Sequence, residues 1–202
     1  SAIQRFCMSH RVELEQLGYY YPEHSLDVNG ISGGHTQLAG LLLNGEVEQA
    51  AQRLLMWLSE AKQHNACLLL SGEAFYGQAN KMQKVIQGMD VQVIAFLRHP
   101  VDYLLGNHNQ GIKRHMQTKR LNEVLVEQAG KPAPHLVGLP LLAWADAFGD
   151  ANCHFLPYRS PTDGNAAIEQ CFLQALGVPD SEARKLVGEV AITNRSYVQS
   201  AL

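Results

Sequence analysis

The sequence lacks long hydrophobic runs and any concentration of positive charge. Its longest apolar segments, such as residues 66–70, fall far short of the roughly 18 residues that a membrane-spanning helix requires. No signal peptide is visible. The 16 lysines and arginines stand against 19 acidic residues and form no one-sided basic cluster of the kind that binds nucleic acid. We therefore expect a cytoplasmic protein with no membrane span and no nucleic-acid partner.

Patterns typical of disulfide frameworks and metal sites are also absent. The four cysteines, Cys7, Cys67, Cys153 and Cys171, lie far apart in apolar surroundings and form no CxxC pair. Such cysteines are usually reduced thiols of the core. The nine histidines never occur at HxH or HxxxH spacing, which is the local spacing that metal sites on one strand or helix use. The sequence therefore predicts neither disulfides nor a bound metal.

What the sequence does contain is an alternation of helical and strand-like patterns over a length typical of one domain. Apolar residues recur every three or four positions in the helical segments, whereas the strand-like segments are short and continuously apolar. The predicted strands cover residues 66–70, 91–97 and 153–156. The predicted helices cover residues 1–17, 36–43, 46–63, 78–87, 101–116, 119–129, 140–149 and 166–176, with another after 181. The alternation predicts a single α/β domain over residues 1–202, in which a short, mainly parallel sheet lies between two layers of helices.

Arg98 stands at the point where the apolar segment 91–97 ends. Pro100 follows it, and its fixed φ suits the first position of a helix. In open α/β sheets, ligands bind beyond the carboxyl ends of the strands, and a guanidinium placed there can donate two hydrogen bonds to a phosphate. Arg98 is therefore a candidate anion ligand. The alternative is that it pairs with a carboxylate at the rim of the sheet.

Two other residues are candidate general bases. Glu73 lies just beyond the apolar segment 66–70, where partial desolvation would raise the pKa of its carboxyl. A solvated helix-capping role is the alternative for Glu73. His35 lies between a glycine pair and a helix start, a mobile position from which an imidazole could reach a substrate hydroxyl. An inert, exposed loop histidine is the alternative there.

Four stretches of the chain occur in an order that resembles a known family. They are SAIQRF followed by LGYYYP, then LLLSGE, then FLRHPVDYLLGNHNQGIK, and a tail from LLAWADAFG through HFLPYR and FLQALGVP to NRS. Together they resemble the P-loop-related sulfotransferases that use 3'-phosphoadenosine 5'-phosphosulfate (PAPS), most closely the bacterial branch that sulfates carbohydrates or related small metabolites. In that family the third stretch corresponds to the segment that binds the 3'-phosphate of the nucleotide.

The resemblance implies transfer of a sulfuryl group from PAPS to a hydroxyl or amine of a carbohydrate or small metabolite. Arg98 would bind the 3'-phosphate, and Ser1, as the last hydroxyl of the phosphosulfate loop, would bind the 5' end. Glu73 or His35 would serve as the base. The alternatives are a catalytically inactive nucleotide- or partner-binding domain of the same fold, and a nucleotide-dependent kinase.

Two features depart from the pattern of the family. The 3'-phosphate motif normally has a serine eight residues after its arginine, where this chain has Gly106, so Asn107 or backbone amides would have to replace the hydroxyl. The strand and the lysine-bearing loop expected before Ser1 are not in the sequence, and that loop would supply the N–H groups that bind the transferring group. These departures predict either part of a longer enzyme or a degenerate site.

Overall fold

Helices and short parallel strands alternate along the chain in a computed structural model that describes residues 2–26, 33–132, 138–159 and 165–188. The strands are β1 (Tyr19–Tyr20), β2 (Cys67–Leu68), β3 (Val93–Leu97) and β4 (Cys153–Pro157). The helices are α1 (Ala2–Ser9), α2 (Arg11–Gln16), α3 (Thr36–Asn44), α4 (Val47–Gln63), α5 (Ala79–Val85), α6 (Pro100–His115), α7 (Leu121–Ala129), α8 (Leu139–Phe148), α9 (Ile168–Ala175) and α10 (Asp180–Val187). Most of the described chain is helical, and the class is mixed α/β.

The helices predicted from apolar spacing are confirmed with small changes at their ends, but the first one is divided. His10 has φ −120° and ψ 34°, which interrupts the predicted helix 1–17 between α1 and α2. The strand predicted over 66–70 is shorter than expected because its partner β1 is only two residues long. The sequence did not predict β1, since two tyrosines cannot establish a period.

The strands form two separate parallel pairs instead of one sheet. β1 pairs with β2, with Tyr19 opposite Cys67, and β3 pairs with β4 over its full length, from Val93 to Leu97. Among the described residues, no ladder joins the two pairs. The predicted parallel arrangement is confirmed within each pair.

Two hydrophobic cores hold the helices against these strands. The first core contains residues of α3, α4, α5 and α8, including Leu42, Trp57 and Trp144. The second contains residues of α1, α2, α9 and α10, including Leu14 and Leu173, both fully buried. Burial of each such leucine side chain contributes about 1.5 to 3 kcal/mol to folding. The two cores therefore account for the packing of these eight helices.

Strand β3 contacts both cores but is buried less than its sequence predicts. Val93, Ala95 and Leu97 pack against the first core, and Ile94 and Phe96 pack against the second. All five residues are only half-buried. The physical reason is that one edge of β3 has no neighbouring strand among the described residues, so solvent reaches the strand from that side.

Gly34 brings the segment before α3 against the end of β2. Its φ is +75°, and a Cβ at this position would collide with the carbonyl oxygen of Ser71. The next residue, His35, donates its backbone N–H to that same oxygen at 2.8 Å. A side chain at position 34 would therefore break the contact that fixes this end of β2.

We predict that Gly34→Ala destabilises the protein at least twice as much as the matched change Gly45→Ala. Gly45 also has a positive φ, +78°, but nothing lies within 4 Å of its Cβ position. Gly45→Ala should therefore cost only the left-handed conformation, about 1 to 2 kcal/mol. Urea denaturation of both variants measures the difference. Equal losses would contradict the close contact between Gly34 and Ser71.

Candidate functional site

The segments that follow β2, β3 and β4 contribute residues to one large cavity. Its lining includes Glu73 after β2, Arg98 after β3, and Tyr158 and Arg159 after β4. The cavity volume is about 4120 Å³, well above the roughly 300–1,000 Å³ of an ordinary small-molecule site. Only part of it can therefore serve a small ligand, and the sequence-predicted site residues Glu73 and Arg98 lie in the part beyond the strand ends.

The Arg98 side chain lies over the ring of Tyr158. Its Cζ is 4.5 Å from the ring centroid. The Tyr158 N–H donates to the carbonyl oxygen of Leu97 at 2.6 Å, which fixes the two strand ends beside each other. A cation–π contact of this kind orients the guanidinium without using its N–H donors.

The alternative role of Arg98, an ion pair at the sheet rim, is not seen. None of the ion pairs formed within the described residues involves Arg98, and the side chain is exposed. Its forked donors therefore face solvent at the place where the sequence predicted an anion site.

Gly106 lies beside the same guanidinium. A Cβ at this position would be 2.9 Å from Nη1 of Arg98, so the absence of a side chain allows α6 to pass close to the arginine. The structure therefore brings together two residues that the sequence analysis assigned to one site. Contact of Gly106 with a phosphate stays a prediction.

Helix α6 begins immediately beyond Arg98. The ring Nδ1 of His99 accepts the N–H of Val101 at 3.3 Å, and Pro100 has no N–H to satisfy. The partial positive charge of a helix amino end adds to the charges of Arg98 and Arg159 at this edge. Asp102 in the first turn of α6 and Glu73 also line the cavity, so this edge carries charges of both signs.

Glu73 begins a short 3-10 turn, Glu73–Phe75, and its side chain is exposed. The expectation of a partly desolvated carboxylate is wrong in this respect, because the turn directs residue 73 away from the cores. Glu73 does line the same cavity as Arg98. To act as a general base, the Glu73 carboxylate would have to be shielded from water by the bound acceptor.

His35 is buried, so the predicted mobile loop position is wrong. Only 1% of its surface is exposed. Its Nδ1 accepts the Ser71 N–H at 3.0 Å, and its Nε2 donates to the carbonyl oxygen of Pro22 at 3.2 Å. Burial lowers the pKa of this imidazole to about 4. Neither ring nitrogen is available to a substrate, and the neutral ring connects two backbone segments.

The structure adds Tyr158 to the site, which the sequence analysis did not connect with Arg98. The sequence did contain one signal for this contact. Arg98 directly follows β3 and Tyr158 directly follows β4, so the two residues occupy equivalent positions. Ser1 and the NRS segment at 194–196 lie outside the described residues. Of the predicted free thiols, Cys7 is buried and Cys67 is exposed, and all four cysteines are unpaired.

The described ranges of the chain contain no group of three or more histidine, cysteine or acidic side chains placed to hold a metal ion. None of their helices has the length and apolar character needed to cross a membrane.

Comparison with known proteins gives no relatives: no family model matches the chain, and no curated protein or solved structure is significantly similar to it. The resemblance to sulfotransferases therefore remains a prediction from the order of the motifs.

We predict that His35 makes the protein less stable in mild acid. The unfolded imidazole, with a pKa near 6.5, binds a proton more readily than the folded one, with a pKa of about 4. The neutral His35 imidazole therefore makes its full contribution to the free energy of unfolding above pH 6.5. That contribution is lost as the pH falls from 6.5 towards 4, and the loss is at most about 3 kcal/mol. Urea denaturation at pH 7.5 and 5 measures the loss.

His35→Gln is the matched variant, because it can keep a hydrogen bond but does not titrate. It should be less stable at neutral pH and should lose less stability on acidification than the parent. An identical pH dependence in both proteins would contradict the assignment to His35.

Proposed function

We propose that this chain binds the 3'-phosphate of PAPS through Arg98 and transfers the sulfuryl group to a hydroxyl or amine of a carbohydrate or small metabolite. The observation that carries the proposal is the guanidinium of Arg98, which lies over Tyr158 with no carboxylate partner in the described chain. An arginine that is oriented and unpaired at a strand end is well suited to a dianionic phosphate.

Each neighbour of Arg98 supports a separate part of this role. Tyr158 limits the rotation of the guanidinium, which lowers the entropy lost when a phosphate binds. Gly106 allows α6 to pass close to Nη1 of Arg98. Arg159 supplies a second positive charge at the same edge. A phosphate bound there would receive two parallel N–H donors from Arg98.

Glu73 is the group that we assign to the acceptor proton. The oxygen or nitrogen of the acceptor bonds to the sulfur of PAPS as the bond between sulfur and the 5'-phosphate oxygen breaks, adenosine 3',5'-bisphosphate leaves, and the proton of the acceptor passes to Glu73. The Glu73 carboxylate is at the cavity wall and has no ion-pair partner in the described chain. His35 serves instead as a positioning residue, since it binds Ser71 two residues before Glu73. Ser1 is assigned to the 5' end of the nucleotide.

The second candidate is a domain that binds the nucleotide without catalysing transfer. The exposure of Glu73 and the burial of His35 favour it, because neither residue is a desolvated, accessible base. Binding at Arg98 is common to both candidates, whereas proton removal by Glu73 distinguishes them.

We predict that Arg98→Ala weakens binding of adenosine 3',5'-bisphosphate by about 10- to 150-fold, since a charge-assisted hydrogen bond contributes about 1.5 to 3 kcal/mol. Titration calorimetry measures the change. Arg53→Ala is the matched control, because the Arg53 guanidinium also lies over an aromatic ring, that of Trp57, and Arg53 does not line the cavity. Adenosine 5'-monophosphate has no 3'-phosphate, so it should bind the parent and Arg98→Ala with equal affinity. Equal affinity of Arg98→Ala and parent for the bisphosphate would remove Arg98 from the site.

We predict that Glu73→Gln lowers the rate of sulfuryl transfer by about 10²- to 10⁴-fold and leaves nucleotide affinity nearly unchanged. The amide keeps the shape of the side chain but cannot accept the proton. Transfer of ³⁵S from PAPS to a panel of carbohydrate acceptors is the measurement. Glu48→Gln, at an exposed position on α4, is the control. Transfer at the parental rate by Glu73→Gln would exclude Glu73 as the base. Nucleotide binding without transfer by the parent protein would favour the second candidate.

A further inference from the structure

A short chain of hydrogen bonds connects the cavity wall to the segment after β1. The hydroxyl oxygens of Ser71 and Tyr21 lie 2.7 Å apart, and the Tyr21 hydroxyl lies 3.2 Å from Nε2 of His24. Ser71 lines the cavity two residues before Glu73. Tyr21 is fully buried and His24 is half-buried. A buried tyrosine therefore links a polar group of the cavity to a histidine ring nearer the surface.

The ring of His24 sets the direction of these hydrogen bonds. Its Nδ1 lies 3.2 Å from the carbonyl oxygen of Ser25, and because a carbonyl can only accept, Nδ1 carries the proton of the neutral ring. Nε2 then accepts from the Tyr21 hydroxyl. A tyrosine has one hydroxyl proton, so Tyr21 must accept from Ser71. The hydroxyl proton of Ser71 is therefore directed towards Tyr21 and away from the cavity.

The hydroxyl oxygen of Ser71 is left as a hydrogen-bond acceptor. The backbone N–H of Ser71 donates to Nδ1 of His35, and its backbone carbonyl accepts the N–H of His35. Within the described residues, Tyr21 is the one partner of the Ser71 hydroxyl. A hydroxyl oxygen has two lone pairs, and this one has already donated its proton. A ligand in this part of the cavity can therefore bind the Ser71 hydroxyl only by donating an O–H or N–H.

His35 holds this network in place without changing its charge. The His35 ring lies edge-on to the rings of Tyr21 and His24, with centroids 4.8 and 5.1 Å away, and its Nε2 donates to the carbonyl oxygen of Pro22. Burial lowers the pKa of His35 to about 4 and raises the pKa of Tyr21. Burial also raises the pKa of Cys7, which packs in the same core as Tyr21. These three groups therefore stay neutral between about pH 5 and 8.

Protonation of His24 would reverse the direction of the network. The charged groups beside it are Glu23 and Arg11, which form an ion pair at 3.4 Å, and Arg11 also donates to the backbone carbonyl of Tyr21 at 3.1 Å. A protonated imidazole donates from both ring nitrogens. His24 would then donate to the Tyr21 hydroxyl, Tyr21 would donate to Ser71, and Ser71 would donate into the cavity. The same serine would change from an acceptor to a donor.

We propose that Ser71 is a specificity-determining residue, whose hydroxyl oxygen accepts an O–H or N–H of the molecule that receives the sulfuryl group. The group bound by Ser71 lies beside the one whose proton passes to Glu73, since the two residues are two positions apart. The preferred ligand therefore has two neighbouring donors, such as the adjacent hydroxyls of a sugar. This inference rests on the proposed function for the identity of the ligand, but the binding that it predicts is measured without PAPS.

The test compares two probes that differ by one donor, trans-cyclohexane-1,2-diol and its monomethyl ether. The ether keeps both oxygens but has one O–H fewer. Their dissociation constants are measured from ¹H–¹⁵N spectra above and below the titration midpoint of His24, which is read from its ring ¹⁵N shifts. The variants are Ser71→Ala and Tyr21→Phe. Ser59→Ala is the matched control, because Ser59 also lines the cavity but is exposed on α4.

Above the midpoint, the parent should bind the diol about 3- to 10-fold more tightly than the ether, as one hydrogen bond would give. Ser71→Ala should lose this preference, and Ser59→Ala should keep it. Below the midpoint, the preference of the parent should fall because Ser71 has become a donor. Tyr21→Phe breaks the link between His24 and Ser71, so the preference of this variant should not depend on pH.

The ¹⁵N shifts of the neutral His24 ring test the direction of the network without a ligand or a variant, and they should show the proton on Nδ1. A proton on Nε2 would overturn the proposal. So would failure of both probes to bind, equal affinity of the parent for both above the midpoint, or a preference that Ser71→Ala retains. A diol that binds as expected but receives no sulfuryl group from PAPS would contradict the proposed function alone.

Discussion

The parallel pairing of β3 with β4 determines where the Arg98 guanidinium lies. Parallel strands end at the same edge, and the hydrogen bond from Tyr158 to Leu97 brings the residues after both strands into contact. Arg98 consequently lies on the Tyr158 ring, and Gly106 allows α6 to pass close to the guanidinium. If the ladder shifted by one residue, the faces of the strands would exchange and this arrangement would be lost.

A second constraint acts at the end of β2. Gly34 and His35 both contact Ser71, one through a backbone approach that excludes a side chain and the other through its ring and its N–H. These contacts fix the two residues before Glu73 while Glu73 itself remains exposed. The buried histidine therefore holds the backbone at Ser71, and the Glu73 carboxylate is exposed at the cavity wall.

Much of the local structure follows from the sequence, because it depends on short-range patterns. The apolar segment ending at Arg98 and the proline after it correctly predicted β3 and the start of α6. The burial of His35 was not predictable, since its partners Pro22 and Ser71 are distant in sequence and a loop histidine between a glycine pair and a helix start is usually exposed. The contact of Arg98 with Tyr158 was not predictable either, because it depends on the pairing of two strands that are distant in sequence. The half-buried state of β3 was also missed, because an apolar run gives the character of a strand but not the presence of its neighbours.

We propose that the Arg98 guanidinium binds a phosphate of the nucleotide. Two-dimensional ¹H–¹⁵N spectra of the arginine side chains test it most directly, with the Arg98 signal assigned by its loss in Arg98→Lys. If Arg98 binds the phosphate, adenosine 3',5'-bisphosphate should shift the Nε–Hε signal of Arg98 in a saturable manner, while adenosine should leave it unchanged. An Arg98 signal that stays fixed while other signals respond to the nucleotide would show that Arg98 does not bind it.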